Sequence, residues 1–136
     1  MIKTTRVAVV TAAAGIACVA ASGMSPAWAQ DASKGEQVFN MCSPCHAVGP
    51  DAPNKIGPQL NGLDGRRSGT AADFSYSQAN KNSGIVWDEK SFAAYITDPK
   101  SVVPGTKMVF PGIKDPQRIA DLWAYLKQFD ASGNKK

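Results

Sequence analysis

Two cysteines and a histidine stand within five residues of one another, in the segment Cys42-Ser43-Pro44-Cys45-His46. If this segment forms one helical turn, its C-x-x-C-H spacing presents two thiols to the two vinyl groups of a protoporphyrin. The residue that follows then brings an imidazole under the iron. The pattern is typical of covalent c-type haem attachment, and it predicts one haem c bound through Cys42 and Cys45, with His46 as an axial iron ligand.

Two other chemistries use a C-x-x-C pair. A thiol–disulfide redox pair belongs to a strand–helix–strand context and needs a cysteine of low pKa, and this sequence shows no alternation of strands and helices. A structural zinc ion needs four ligands, and no second pair of cysteines or histidines follows His46. Both alternatives are therefore weaker interpretations than haem attachment.

Residues 1–29 have the features of an export signal. A short basic start precedes an uncharged run from Val7 to Ala17, and Ala27-Trp28-Ala29 has the small-x-small pattern that a signal peptidase cleaves. We therefore expect cleavage after Ala29 and a mature domain of residues 30–136 in the periplasm. A retained membrane anchor is the alternative for this segment.

The charge of the chain argues against nucleic-acid binding. The full sequence of 136 residues has a net charge of +4, but residues 30–136 carry 13 Lys and Arg against 11 Asp and Glu. A net charge of +2 does not provide the cluster of cations that neutralises phosphates. The absence of internal repeats, low-complexity tracts and linkers after residue 30 indicates one domain.

Apolar residues recur at helical spacing in three segments, each preceded by a residue suited to cap a helix. These segments begin near Asp31 or Ser33, at Asp88 and at Asp115. We expect the first helix to run into Cys42. Pro99 ends the second helix and, after Asp98, starts a further short turn.

The stretch between Ala47 and Ile85 is rich in Gly, Pro, Asn and Ser and lacks the alternation of a strand. The sequence therefore predicts an all-α domain with short helices and long loops. Such a chain has few large aliphatic residues to bury, and a haem would supply the missing apolar core.

The second axial ligand can be predicted because the mature chain contains few side chains that could bind the iron. His46 is the single histidine, so a second imidazole is excluded, and Met41 adjoins the haem motif too closely to reach the other side of the iron. Met108 lies 62 residues after His46, behind the turn Pro104-Gly105, and this favours a ligand over a core filler. With both axial positions filled, the iron exchanges electrons and has no vacant site for a substrate. We therefore predict an electron carrier and not an enzyme.

With these residues in view, the chain resembles the class I c-type cytochromes, in the branch of bacterial cytochrome c2 and mitochondrial cytochrome c. Beyond the haem motif, the resemblance covers most of the mature chain and includes Gly35, Phe39, Ile56-Gly57-Pro58, Leu122, Tyr125 and Leu126. It implies a class I cytochrome c fold, in which the N- and C-terminal helices cross and one covalently attached haem is enclosed. It also implies that His46 donates a hydrogen bond to the Pro58 carbonyl.

The resemblance further implies a haem environment. The groups near the haem propionates would be Arg66, Tyr76, Asn80 and Trp87. The groups near the methionine sulfur and the inner propionate would be Tyr95 and Thr106. Phe110 would lie beside the exposed haem edge. From the residues alone, Tyr76 and Trp87 would also suit an ordinary core, and the choice between Arg66 and Arg67 stays open. The resemblance favours Arg66.

Family members carry a ring of lysines for docking, and Lys55, Lys100, Lys107 and Lys114 match it. Met41 stands where lysine is common, so we expect weaker, salt-sensitive steering. The resemblance implies a monomer that docks transiently on membrane redox complexes: a cytochrome bc complex, a terminal oxidase or a photosynthetic reaction centre. A periplasmic dehydrogenase is a further partner to consider. At alkaline pH, Lys107 or Lys100 would be the lysine that displaces Met108.

One alternative is a haem protein whose iron binds ligands or peroxide and does not only exchange electrons. A ligand-binding or peroxidatic c-type haem protein would have an open sixth coordination site, which requires that Met108 does not bind the iron. The sequence itself does not name the donor, the acceptor or the reduction potential.

Overall fold

The computed structural model describes residues 29–136, so the predicted export signal lies almost wholly outside the described residues. Five helices follow one another in chain order: α1 (Ala32–Phe39), α2 (Gln78–Asn82), α3 (Glu89–Thr97), α4 (Pro99–Val102) and α5 (Pro116–Leu126). Within this part of the chain there is no strand, and two isolated bridges join Arg67 to Val86 and Phe129 to Lys135. The predicted all-α class is confirmed.

Aspartates cap four of the helices at the positions that the sequence predicts. Their carboxylates accept hydrogen bonds from backbone N–H groups of the first helical turn, and the capping residues are Asp31, Asp88, Asp98 and Asp115. Pro99 and Pro116 stand at the first positions of α4 and α5, where a missing N–H has no cost.

Two predictions of helix extent are wrong. Helix α1 ends at Phe39 and does not run into Cys42, because residues 40–45 continue as hydrogen-bonded turns. Helix α2 lies inside the stretch expected to be loop. It is five residues long, almost entirely polar and capped by Ser77, so it has no apolar periodicity to predict it.

The crossing of α1 and α5 forms one wall of the core and confirms the predicted contact of the terminal helices. Gly35 permits the close approach, because a side chain there would overlap the backbone carbonyl of Asp121. The rings of Phe39 and Tyr125 pack with centroids 5.5 Å apart. Leu122 and Leu126 of α5 are each 1% exposed and face the centre of the molecule.

Residues 29–136 contain no helix that is both long enough and apolar enough to cross a membrane.

Candidate haem site

A cavity of about 620 Å³ is lined by the turns after α1, by α3 and α5 and by the loops between them. Its lining is mainly apolar and includes every residue that the sequence analysis assigns to the haem environment: Cys42, Cys45, His46, Pro58, Arg66, Tyr76, Asn80, Trp87, Tyr95, Thr106, Met108 and Phe110. These residues come from segments up to 68 positions apart, and the fold brings them to one site. Their individual roles toward a haem stay predictions.

The cysteine motif forms a single helical turn at the end of the turns that follow α1. The backbone N–H groups of Cys45 and His46 donate to the Cys42 carbonyl at 3.0 and 2.9 Å. Both thiols are free and partly exposed at the cavity wall. Burial raises the pKa of the Cys42 thiol to about 11, and the neighbouring Cys45 acts in the same direction. A low-pKa thiolate, which thiol–disulfide exchange uses, is therefore not formed at Cys42.

The His46 imidazole is oriented by one hydrogen bond. Its Nδ1 atom lies 2.7 Å from the Pro58 carbonyl oxygen. Because a carbonyl can only accept, Nδ1 carries the proton and Nε2 keeps its lone pair. Burial is the main cause that lowers the pKa of His46, and the Pro58 bond opposes it. The ring is thus a neutral imidazole with one nitrogen free to bind a metal.

Gly57 makes room for the His46 ring. A side chain at position 57 would overlap the imidazole atoms. The Gly57 N–H donates to the Cys45 carbonyl at 2.8 Å, so the loop that holds Pro58 is tied to the haem motif itself. A close approach of this kind requires glycine at this position.

Met108 is half-buried and lines the same cavity. Its backbone N–H donates to the Thr106 hydroxyl at 3.2 Å, and the Tyr95 hydroxyl lies 3.0 Å from the same oxygen. Gly105, with φ of 92°, turns the chain directly before Thr106. Tyr95 on α3 and the Met108 loop are thereby held together by one hydroxyl oxygen.

Arg66 brings a positive charge into the cavity wall. Its guanidinium donates to the backbone carbonyls of Asn61 and Gln59, each at 3.0 Å. Among residues 29–136 the single ion pair joins Lys34 to Asp31, so Arg66 has no carboxylate partner within that range. Burial lowers the pKa of Arg66, with Tyr76 opposing it. A half-buried cation of this kind suits a propionate, whereas Arg67 is exposed.

The polar groups beside Arg66 are also held in place. The Tyr76 hydroxyl oxygen accepts from the Ala71 N–H at 3.2 Å, which leaves its own proton free to be donated, and burial raises the pKa of Tyr76. Ser77 donates to the Asn80 side-chain oxygen at 2.7 Å. Trp87 packs edge-on against Tyr95, with ring centroids 5.1 Å apart.

The donor set fits a covalently attached haem. An apolar cavity, two thiols, a neutral imidazole, a thioether and a guanidinium without a carboxylate partner among residues 29–136 meet at one site. The zinc interpretation lacks such support, since no group of three or more His, Cys, Asp and Glu side chains that could hold a metal ion occurs within residues 29–136. Sequence reasoning missed the Gln59 and Asn61 carbonyls, because no residue pattern marks backbone atoms.

The four predicted docking lysines differ in their surroundings. Lys55 donates to the Ser43 carbonyl at 2.7 Å, Lys107 to Ser75 at 3.4 Å and Lys114 to Thr97 at 2.6 Å. Lys100 is exposed on α4. Of these four side chains, Lys107 lines the cavity.

The following comparisons all identify similar proteins as cytochromes c. The family model Cytochrome c matches residues 32–130. Cytochrome c2 of Blastochloris viridis is 60% identical over 118 residues, which span 87% of this chain and 93% of that protein. Cytochrome c2 of Rhodoplanes tepidamans is 61% identical over 107 residues, which span 79% of this chain and 100% of that protein.

A solved structure agrees with these relatives. Cytochrome c2 from Rhodospirillum centenum superposes with a TM-score of 0.71 at 40% identity and covers 74% of this chain and 98% of its own. The similarity therefore extends over the described helices and is not limited to the C-x-x-C-H segment.

Proposed function

Since this chain belongs to the cytochrome c family of haem-bearing electron carriers, we propose that it carries single electrons between membrane redox complexes in the periplasm. Family membership confirms the predicted class I cytochrome c fold and the covalently bound haem c. The predicted export signal of residues 1–29, with the cleavage pattern Ala27-Trp28-Ala29, supports the periplasmic location and a mature domain of residues 30–136. On this proposal the protein is a monomeric carrier and not an enzyme.

The observation that carries the proposal is that both candidate axial ligands line one cavity with both thiols. His46 offers a neutral nitrogen and Met108 a thioether, and Cys42 and Cys45 are the residues that would form the thioether bonds. When bound, the haem supplies a one-electron couple of raised potential, because a thioether favours ferrous iron. Ligation by both His46 and Met108 would leave the iron no position for a substrate.

The side chains around the cavity have three tasks. The Pro58 carbonyl holds the His46 proton on Nδ1 and strengthens the ring as a donor. The Thr106 hydroxyl accepts from the Met108 backbone N–H and so restrains the loop that carries the thioether. Arg66, Tyr76, Asn80 and Trp87 offer donors or charge to the propionates and exclude water from the interior.

The proposed redox partners follow from a one-electron haem site of this kind. The donor and acceptor are membrane redox complexes such as a cytochrome bc complex, a terminal oxidase or a photosynthetic reaction centre, with a periplasmic dehydrogenase as a further donor. Docking must be transient for a carrier that serves two partners, and the interface is accordingly small. Lys55, Lys100, Lys107 and Lys114 contribute steering toward acidic faces. No nucleic acid is among the partners.

The Met108→Ala variant of the haem-loaded protein tests the proposal. We expect the ferric wild type to show the far-red sulfur-to-iron charge-transfer band and the ferrous wild type to resist carbon monoxide. The variant loses the band, binds carbon monoxide and has a lower midpoint potential. Met41→Ala is the matched control and keeps the band.

A second measurement tests the carrier function. Reduced wild-type protein is mixed with membrane fragments of the source organism, and its oxidation is followed by absorbance. A wild type that lacks the band, binds carbon monoxide readily and is not oxidised would contradict the proposal. That result would favour a ligand-binding or peroxidatic protein with an open sixth site.

A further inference from the structure

Asn61 is a buried polar residue beside the haem cavity. It leaves 6% of its surface exposed, and within residues 29–136 the cavity lining includes Arg66 but not Asn61. The Asn61 side chain makes two hydrogen bonds to one residue. Its Oδ1 atom accepts from the Gly49 N–H at 2.9 Å, and its Nδ2 atom donates to the Gly49 carbonyl at 2.8 Å. This buried pair fixes two separate loop segments against each other.

The backbone of Asn61 connects this pair to the cavity wall. Nη1 of Arg66 donates to the Asn61 carbonyl at 3.0 Å, and the other terminal nitrogen donates to the Gln59 carbonyl at 3.0 Å. The Asn61 N–H in turn donates to the Gln59 side-chain oxygen at 2.6 Å. The guanidinium is therefore held by two carbonyls whose positions depend on where Asn61 lies.

A turn near the C-terminus packs onto the Gly49–Asn61 pair. We call residues 130–134 the C-terminal turn. In this turn the Asp130 carboxylate accepts from two backbone N–H groups, and the Gly133 N–H donates to the Asp130 carbonyl at 3.0 Å. Gly133, with φ of 84°, lies against the Gly49 carbonyl and the Asn61 amide, and a side chain there would overlap both. Because interiors are close-packed, the turn restricts the movement of the pair.

We propose that Asn61, held by Gly49 and the C-terminal turn, is a positioning residue that keeps the Arg66 charge at the haem cavity and so raises the midpoint potential. This inference rests on the proposed carrier function, because it concerns the potential at which the carrier exchanges its electron. Asn61 acts through Arg66 and not by contact with the haem.

The effect on the potential has an electrostatic cause. A positive charge beside the haem disfavours the additional positive charge of ferric iron, and this interaction weakens with distance and with the dielectric constant between the charges. When Asn61 loses its bonds to Gly49, the carbonyl that holds Arg66 can move and water gains access to the guanidinium. The Arg66 charge is then better screened, so the ferric state is less disfavoured and the midpoint potential falls.

The experiment measures the midpoint potentials of haem-loaded variants by spectroelectrochemistry. Asn61→Ala is expected to lower the midpoint potential in the same direction as Arg66→Gln and by a smaller amount. In an Arg66→Gln background, Asn61→Ala causes no further fall, because the charge through which Asn61 acts is gone. Asn134→Ala is the control and keeps the wild-type potential, since Asn134 is exposed and bonds to Asp130 through its backbone.

Gly133→Ala tests the same connection from the C-terminal turn. Its methyl group would overlap the Gly49 carbonyl and displace the Asn61 side chain. This variant is therefore also expected to lower the midpoint potential, and the fall disappears in the Arg66→Gln background. Gly84→Ala is the matched control, because Gly84 also has a positive φ, of 71°, but open space surrounds it. We expect Gly84→Ala to keep the wild-type potential.

Amide hydrogen exchange separates a local release of the pair from a general loss of stability. In Asn61→Ala the Gly49 N–H loses its acceptor, whereas the Lys127 N–H keeps its bond to the Trp123 carbonyl. The exchange rate of Gly49 is expected to rise by about 10-fold or more beyond any rise at Lys127. Equal rises at both amides would show that the whole domain has been destabilised, and they would contradict a local positioning role.

The potentials also distinguish this inference from the carrier function. Wild-type potentials in both Asn61→Ala and Gly133→Ala would show that the pair is structural only, and the positioning role would be wrong. A fall of equal size with and without the Arg66 guanidinium would also overturn it, because Asn61 would then act by another route. Either result leaves the carrier function intact, whereas a wild type that lacks the far-red band and binds carbon monoxide would defeat that function.

Discussion

The orientation of a single imidazole depends on two backbone features of the neighbouring loop. Pro58 offers a carbonyl to Nδ1 of His46, and Gly57 leaves the space that the ring occupies. Neither feature is a functional side chain, yet together they decide which nitrogen of His46 is free. The proton position on His46 is thus set by an uncharged backbone carbonyl and by the absence of a side chain at position 57.

Gly57→Ala is expected to displace the His46 ring, since the added methyl group would overlap it. The free energy of unfolding of the haem-loaded protein falls by about 1–3 kcal/mol, and the midpoint potential shifts. Gly84→Ala is the control, because its φ of 71° would strain an alanine there but open space surrounds the added methyl group. Denaturant titration and potentiometry measure both quantities, and equal behaviour of the two variants would contradict the steric argument.

Arg66→Gln removes the half-buried positive charge from the cavity wall. The midpoint potential is expected to fall, because the guanidinium disfavours the additional positive charge of ferric iron. Stability falls by about 1–3 kcal/mol, since the Gln59 and Asn61 carbonyls lose a charged donor. Arg67→Gln, at the exposed neighbour, keeps both values close to wild type. Spectroelectrochemistry measures the midpoint potential. An unchanged potential in Arg66→Gln would refute the placement of the Arg66 charge beside the haem.

At the scale of the elements, local capping decides where the helices begin. The Asp88 carboxylate accepts from the Ser91 backbone N–H at 2.7 Å, and the Ser91 hydroxyl accepts from the Asp88 N–H at 2.9 Å. This reciprocal pair fixes the start of α3 and therefore the position of Tyr95 beside the Met108 loop.

The α3 cap makes a pH prediction. Hydrogen bonds from Ser91 hold the pKa of the Asp88 carboxyl below its usual value of 3.8. A lowered folded-state pKa contributes stability that is present above the unfolded pKa and lost as the pH falls through the folded one. Between pH 5 and pH 2.5, wild type is therefore expected to lose more stability than Asp88→Asn, which cannot titrate and still caps. Urea titrations across this range measure the difference, and parallel losses would refute it.

Across the whole molecule, the haem is part of the hydrophobic core. The cavity of about 620 Å³ is lined by Leu63, Phe92, Leu122 and Leu126, which would face a void without it. Leaving this large apolar lining unfilled or exposed to water is costly. We therefore expect the chain and its cofactor to fold as one unit.

Cys42→Ala/Cys45→Ala, which cannot attach haem, is expected to lose most of its helix and its cooperative unfolding. Circular dichroism and thermal scans measure these losses. Met108→Ala keeps the covalent haem and is the control, with helix content near that of wild type. A double variant that unfolds cooperatively with native helix content would show that the polypeptide core is sufficient alone.

The sequence by itself predicted the haem attachment and four of the helix starts. The C-x-x-C-H segment acts within one turn, and the capping residues Asp31, Asp88, Asp98 and Asp115 accept from backbone groups two or three residues away. Interactions of such short range can be predicted from neighbouring residues, because the geometry of one helical turn is always the same.

Only the tertiary structure decided that α1 stops at Phe39, that Gln59 and Asn61 carbonyls hold Arg66, and that Gly57 lies against His46. It also decided that Ile56 and Val109, 53 positions apart, line one cavity. These features depend on backbone atoms and on side chains from distant segments. Their positions follow from how the chain packs around its core, and no local pattern records that packing.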